Sequence, residues 1–97
     1  MKIRHAFAQA LKKSRKAHGL TQEDFSEVSS RTYLSTLERG KKSPTLDKIN
    51  VLSQTIGIHY LSLLTLAYLY SNGENSPDLI FQRIKLEIDK VNGGEGF

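Results

Sequence analysis

An all-α fold is predicted by three features of the 97-residue sequence: apolar residues recur at helical spacing, cap residues and glycines punctuate those runs, and no segment alternates with the period of a strand. No internal repeat is present. With 38% hydrophobic and 25% charged residues and a formal net charge of +4, the length suits one ordinary domain with a modest core. There is no cysteine, hence no disulfide framework, thiol nucleophile or thiolate metal site, a composition compatible with a cytoplasmic protein. The longest apolar run, around Leu61 to Tyr70, is interrupted by Ser62 and Thr65. It falls well short of the ~20 residues of a bilayer span, so no membrane segment is expected. Met1-Lys2-Ile3-Arg4-His5 is basic, but no apolar stretch or small-residue cleavage site follows it, so no secretory signal is expected.

The first helix is expected over residues 3 to 17, where Ile3, Phe7, Ala10, Leu11 and Ser14 share a face and Lys12, Lys13, Arg15 and Lys16 occupy the others. Gly19 suits the left-handed position that ends it. Thr21 is the N-cap signal of a short second helix, 22 to 28, with Leu20 and Phe25 as a hydrophobic staple. Ser29-Ser30 makes a tight break, and Ser30 caps a third helix from Arg31 to Arg39 that Gly40 stops. Thr45 caps a fourth, whose Leu46, Ile49, Leu52 and Ile56 are expected to face inward, and Gly57 closes it. A fifth helix, 60 to 71, is apolar on nearly every side, more than one small core covers, so something else is expected to pack there. After the polar turn 72–77, a sixth helix from Asp78 to Val91 carries Ile80, Ile84, Ile88 and Val91, with Leu79 and Phe81 beside them. The glycine-rich tail from Asn92 to Phe97 is expected to fray.

Charge is distributed unevenly. Residues 1 to 50 hold eleven Lys and Arg against five acids, a net of +6, and residues 51 to 97 hold three against five, a net of −2. One half is suited to a polyanion. Solubility alone accounts for such a charge equally well, so the third helix decides. At about 100° per residue, Thr32, Ser35, Thr36 and Arg39 fall on one side of it and Tyr33, Leu34 and Leu37 on the other. Two short helices with a tight break, the second offering a polar and cationic face, form the arrangement that sets a recognition helix in the DNA major groove. Arg31, on the first turn, has the planar fork that bonds guanine O6 and N7 together, and Thr32 and Thr36 offer a hydroxyl or a methyl. An ordinary solvated surface helix is the competing reading of that helix by itself.

Three stretches together narrow the choice: Leu20-Thr21-Gln22-Glu23-Asp24-Phe25, the run from Ser30-Arg31-Thr32 through Glu38-Arg39-Gly40-Lys41-Lys42-Ser43-Pro44-Thr45-Leu46, and Ile56-Gly57-Ile58. Over residues 3 to 65 they closely resemble the Cro/CI-type (XRE family) helix-turn-helix proteins of phage repressors and bacterial regulators. The resemblance implies a lambda-repressor-like five-helix domain that binds double-stranded DNA. It implies base reading by Arg31, Thr32 and Thr36, with Ser35 beside them, and backbone contacts from Gln22, Ser30, Arg39, Lys41 and Lys42. Arg15 and Glu38 match a pair that in many members forms a partly buried ion bridge, a structural role. The sequence departs from the family in one place: the family usually has about two more residues between its second and third helices than Val28-Ser29-Ser30 supplies. Val28 is expected to fill the apolar place so lost, with the recognition helix drawn closer or tilted.

Beyond about residue 65 the resemblance assigns nothing. The expected division is a DNA-binding domain over residues 1–71 and a C-terminal helix and tail over 72–97. Leu66, Leu69, Tyr70, Ile80, Phe81, Ile84 and Ile88 form the expected dimer interface, which would set two recognition helices about 34 Å apart, one DNA turn. Folding of the sixth helix back onto the fifth within one subunit is the alternative, and both can hold on different faces of the sixth helix. Neither a metal, a cofactor nor catalysis is expected. His5, His18 and His59 lack ligand spacing, Gly40-Lys41-Lys42-Ser43 lacks the rest of a phosphate-binding loop, and the serines have no evident base. The function expected is a homodimeric transcriptional regulator on an inverted repeat, acting by blocking or contacting RNA polymerase. A restriction-modification controller is a variant of the same physics, and an antitoxin that covers a toxin partner with its last two helices is the alternative.

Overall fold

In the computed structural model, which describes residues 2–93, the first helix, α1 (Ile3–Ala17), buries Ala6, Phe7, Ala8, Ala10, Leu11 and Ser14. The small side chains let it lie close along a later helix, α4 (Tyr60–Asn72), its most extensive partner. Ile3, assigned to the same apolar stripe by spacing, is 60% exposed and lines an open cavity with Phe7, Pro44, Ile49 and Leu64. Gly19 ends α1 with φ +69°, and the Leu20 amide reaches back to the Arg15 carbonyl at 3.1 Å.

The expected second helix over 22 to 28 is instead a 3₁₀ turn, Gln22–Phe25, followed by further turns. The cause is local. The Thr21 amide donates to the Asp24 carboxylate at 2.7 Å, and the amides of Asp24, Ser26 and Val28 bond three residues back rather than four. This tight winding drops Phe25 into the core within one turn, where it is fully buried. Val28 packs against that core, half-buried, as the shortened turn predicts.

The reading-helix candidate, α2 (Arg31–Glu38), starts where the Ser30 hydroxyl accepts the Tyr33 amide at 3.0 Å, and it buries Leu34 and Leu37. α3 (Leu46–Ile56) starts where Thr45 accepts the Lys48 amide at 3.1 Å. Ile49, Leu52 and Ile56 point inward as predicted, but Leu46, at the first helical position, is 75% exposed. His59 caps α4 through Nδ1, and Leu63, Ala67 and Leu69 are buried there. Leu69, expected in a dimer interface, is only 7% exposed and faces its own subunit, whereas Leu66 and Tyr70 are half-buried against the core.

The last helix, α5 (Asp78–Val91), buries none of its residues fully, although Ile80 is half-buried and Phe81 lines a shallow cavity with His59, Leu61, Ser62 and Thr65 at the start of α4. It carries two ion pairs spaced i,i+4, Arg83–Glu87 and Lys85–Asp89, each at 3.0 Å. The fraying expected of the glycine-rich tail falls mainly on residues 94–97, outside those described. Among the described residues there are five α-helices and no strand, and no single helix is long and apolar enough to cross a membrane.

Candidate nucleic-acid interface

The 3.6-residue period that buries Leu34 and Leu37 turns the rest of α2 outward. Arg31, Thr32 and Arg39 are exposed and Ser35 is half-buried. These four, with Gln22 from the 3₁₀ turn, line one open polar concavity of about 460 Å³. Thr36 lies outside it, and its hydroxyl donates to the Thr32 carbonyl at 2.8 Å, which leaves its methyl and its lone pairs for other contacts. Arg39 folds back along the helix, with Nε donating to the Ser35 carbonyl at 3.3 Å.

A charged lattice supports this face from behind. Arg15 on α1 donates from Nε to Glu38 Oε2 at 2.7 Å and from Nη2 to Oε1 at 2.9 Å, and its third bond runs to the Leu20 carbonyl. The side chains are 8% and 3% exposed. The hydrogen bond to Glu38 holds the Arg15 guanidinium above its ordinary pKa, against the opposing effect of burial. Gln22 Nε2 also donates to Glu38 Oε1, at 3.2 Å, so one carboxylate links α1, the 3₁₀ turn and the end of α2. The second N–H of that amide, and its oxygen, are not used by this bond.

Lys41 and Lys42 are exposed just beyond Gly40, and Lys42 Nζ stands 5.9 Å from the centroid of the Tyr33 ring. Gly40 is buried at φ +71°, a conformation that costs an L side chain. A Cβ there would come within 2.5 Å of His5 Nδ1. Sequence reading missed Lys48, whose Nζ donates to the Val28 carbonyl at 2.7 Å and lies 5.5 Å from the Tyr33 centroid. Its partners are fifteen and twenty residues away, and no local pattern signals them.

Among the described residues no group of three or more metal-ligating side chains comes together. His5 sits against Gly40, His18 Nδ1 is 2.8 Å from the Ser14 carbonyl, and His59 caps α4.

The buttressed α2, with its polar outer face and the capped tight turn before it, lies within residues 11–63, which a family model described as helix-turn-helix matches. The chain belongs to the Cro/CI-type helix-turn-helix family. It is similar to an uncharacterized HTH-type transcriptional regulator of Sinorhizobium fredii, with 36% identity over 67 residues, 67% of this chain and 87% of that protein. No solved structure matches it. Members of the Cro/CI-type family are DNA-binding transcriptional regulators, and the matched segment contains α2, α3 and all the charged lattice behind them.

Proposed function

We propose that this helix-turn-helix protein is a sequence-specific transcriptional regulator that binds double-stranded DNA as a homodimer on an inverted-repeat operator. One observation carries the reading: α2 is anchored by buried Leu34 and Leu37 while Arg31, Thr32, Ser35 and Arg39 share an open polar face with Gln22. Arg31 forks onto guanine, and Thr32, Ser35 and Thr36 contact neighbouring bases. Gln22 and Ser30 each keep a proton to donate to a phosphate, because Gln22 uses one amide N–H on Glu38 and the Ser30 oxygen accepts rather than donates at the helix cap. Arg39, Lys41 and Lys42 neutralise the backbone around them.

Residues up to 71 form the DNA-binding part, and α5 joins the copies. Phe81, Ile84 and Ile88 line α5 at 51%, 39% and 36% exposure, with Ile80 half-buried beside them. A groove of about 390 Å³ is lined by Phe81, Ile84 and Ile88 together with the ion-paired Lys85 and Asp89. Covering it with a second copy places two α2 helices on successive turns of one DNA face. The same uncovered stripe favours a second reading, an antitoxin-type module whose α5 holds a different chain. Selection from randomised duplexes followed by footprinting tests the first. Enrichment of two inverted half-sites about ten base pairs apart supports it, and enrichment of nothing, or of a lone half-site, overturns it. Stoichiometric co-purification of a second small protein would favour the second reading.

A further inference from the structure

The turn before α2 is anchored from outside itself. Its amides at Ser26, Val28 and Ser29 wind back onto Glu23 and Phe25, and Ser30, with ψ 150°, then leaves helical geometry before α2 begins. The Val28 carbonyl is thereby cut off from the amide that a continuing helix would have offered it. Lys48, on the first turn of α3, fills that place with a charged donor at 2.7 Å. The same ammonium lies over the face of Tyr33, a residue of α2, at 5.5 Å.

We propose that Lys48 is a positioning residue for DNA reading, tying the turn and α2 to α3 through one ammonium and so setting the tilt at which Arg31 and Thr32 meet base edges. Two arguments favour this over phosphate binding. The Lys48 side chain is half-buried with its charge already engaged at two points, whereas Lys41 and Lys42 are exposed. A bidentate contact from Arg31 also has a narrow tolerance, since hydrogen bonds weaken steeply once the donor angle falls below about 120°. A small rotation of α2 therefore costs discrimination before it costs attraction to the backbone.

The inference rests on base reading by α2, and its test separates the two. Affinities of the full chain for a selected duplex and a scrambled duplex of equal length are measured across salt for wild type, Lys48→Met, Lys48→Arg and Tyr33→Leu. Lys48→Met is expected to lower the ratio of the two affinities by about tenfold, the loss of one charged hydrogen bond's worth of ordering. The salt slope on the scrambled duplex should not change. Lys48→Arg should restore most of the ratio, because a guanidinium donates to the same carbonyl and stacks on the same ring. Equal loss on both duplexes with a slope smaller by about one makes Lys48 a phosphate ligand and overturns the proposal. An unchanged ratio with only a lower Tm overturns it equally. Should Lys48→Met fail to fold, Tyr33→Leu decides: it keeps the Val28 bond, and a ratio equal to wild type refutes the anchoring of α2. A wild type that cannot tell the duplexes apart refutes base reading itself, a result distinct from either.

Discussion

Arg15 and Glu38, twenty-three residues apart, meet through two parallel hydrogen bonds of 2.7 and 2.9 Å and lock the first helix to the end of α2. The pair is almost wholly out of water, so its two charges depend on one another. Arg15→Met or Glu38→Leu alone strands a charge and is expected to cost about 3 kcal/mol. The double variant should cost clearly less than the sum. Urea unfolding of the four proteins measures the coupling, and strict additivity would show that the ions do not support each other.

Gly40 separates two contributions that usually travel together. In Gly40→Ala the left-handed backbone costs about 1–2 kcal/mol, and the new methyl also meets His5 Nδ1 at 2.5 Å. Adding His5→Ala removes the collision and leaves the backbone. The expected result is a partial recovery of stability in thermal melts, with the His5→Ala protein alone close to wild type because His5 is exposed. Full recovery would mean that α2 can end without a left-handed residue.

Most helix ends were legible because caps are local. Ser30, Thr45, Gly19 and Gly40 act within a few residues of where they stand. The buried faces of α1, α2 and α3 were legible from period alone, except at Ile3 and Leu46, first residues of their helices that stay exposed. The segment after Thr21 misled, since cap signals announce a helical start but not whether bonds run three or four residues back. Leu69 misled for a different reason: α4 is apolar nearly all round, and only tertiary packing, against α1 and α3 among others, decides which side is inside. The Arg15–Glu38 pairing came from resemblance, and Lys48 had no signal at all, because a cation lying on a carbonyl twenty residues earlier leaves no trace in spacing.

Arg31 and Lys42 should fail differently. Arg31→Ala is expected to weaken a selected site by about 1–3 kcal/mol and relax preference at one base pair. Lys42→Ala should weaken all duplexes alike. With ~3 to 4 phosphates neutralised per subunit, the slope of log K against log salt for the dimer is expected near −5 to −7. Titrations over a salt series check all three, and an Arg31→Ala protein with undiminished discrimination removes that residue from the reading face.

α5 offers the sharpest contrast between surface and core. None of its residues is buried, so Ile84→Asp places a charge where the isolated subunit already meets water and should leave helicity nearly unchanged, with Tm falling only by what dimer contacts contribute. Leu69→Asp, one helix earlier and 7% exposed, buries an unpaired carboxylate and should unfold the chain. If α5 joins two copies, Ile84→Asp sediments as a folded monomer, and its affinity for a full inverted repeat falls toward that for a single half-site. A variant that remains dimeric moves the interface off α5, and one that unfolds shows that α5 supports its own subunit after all.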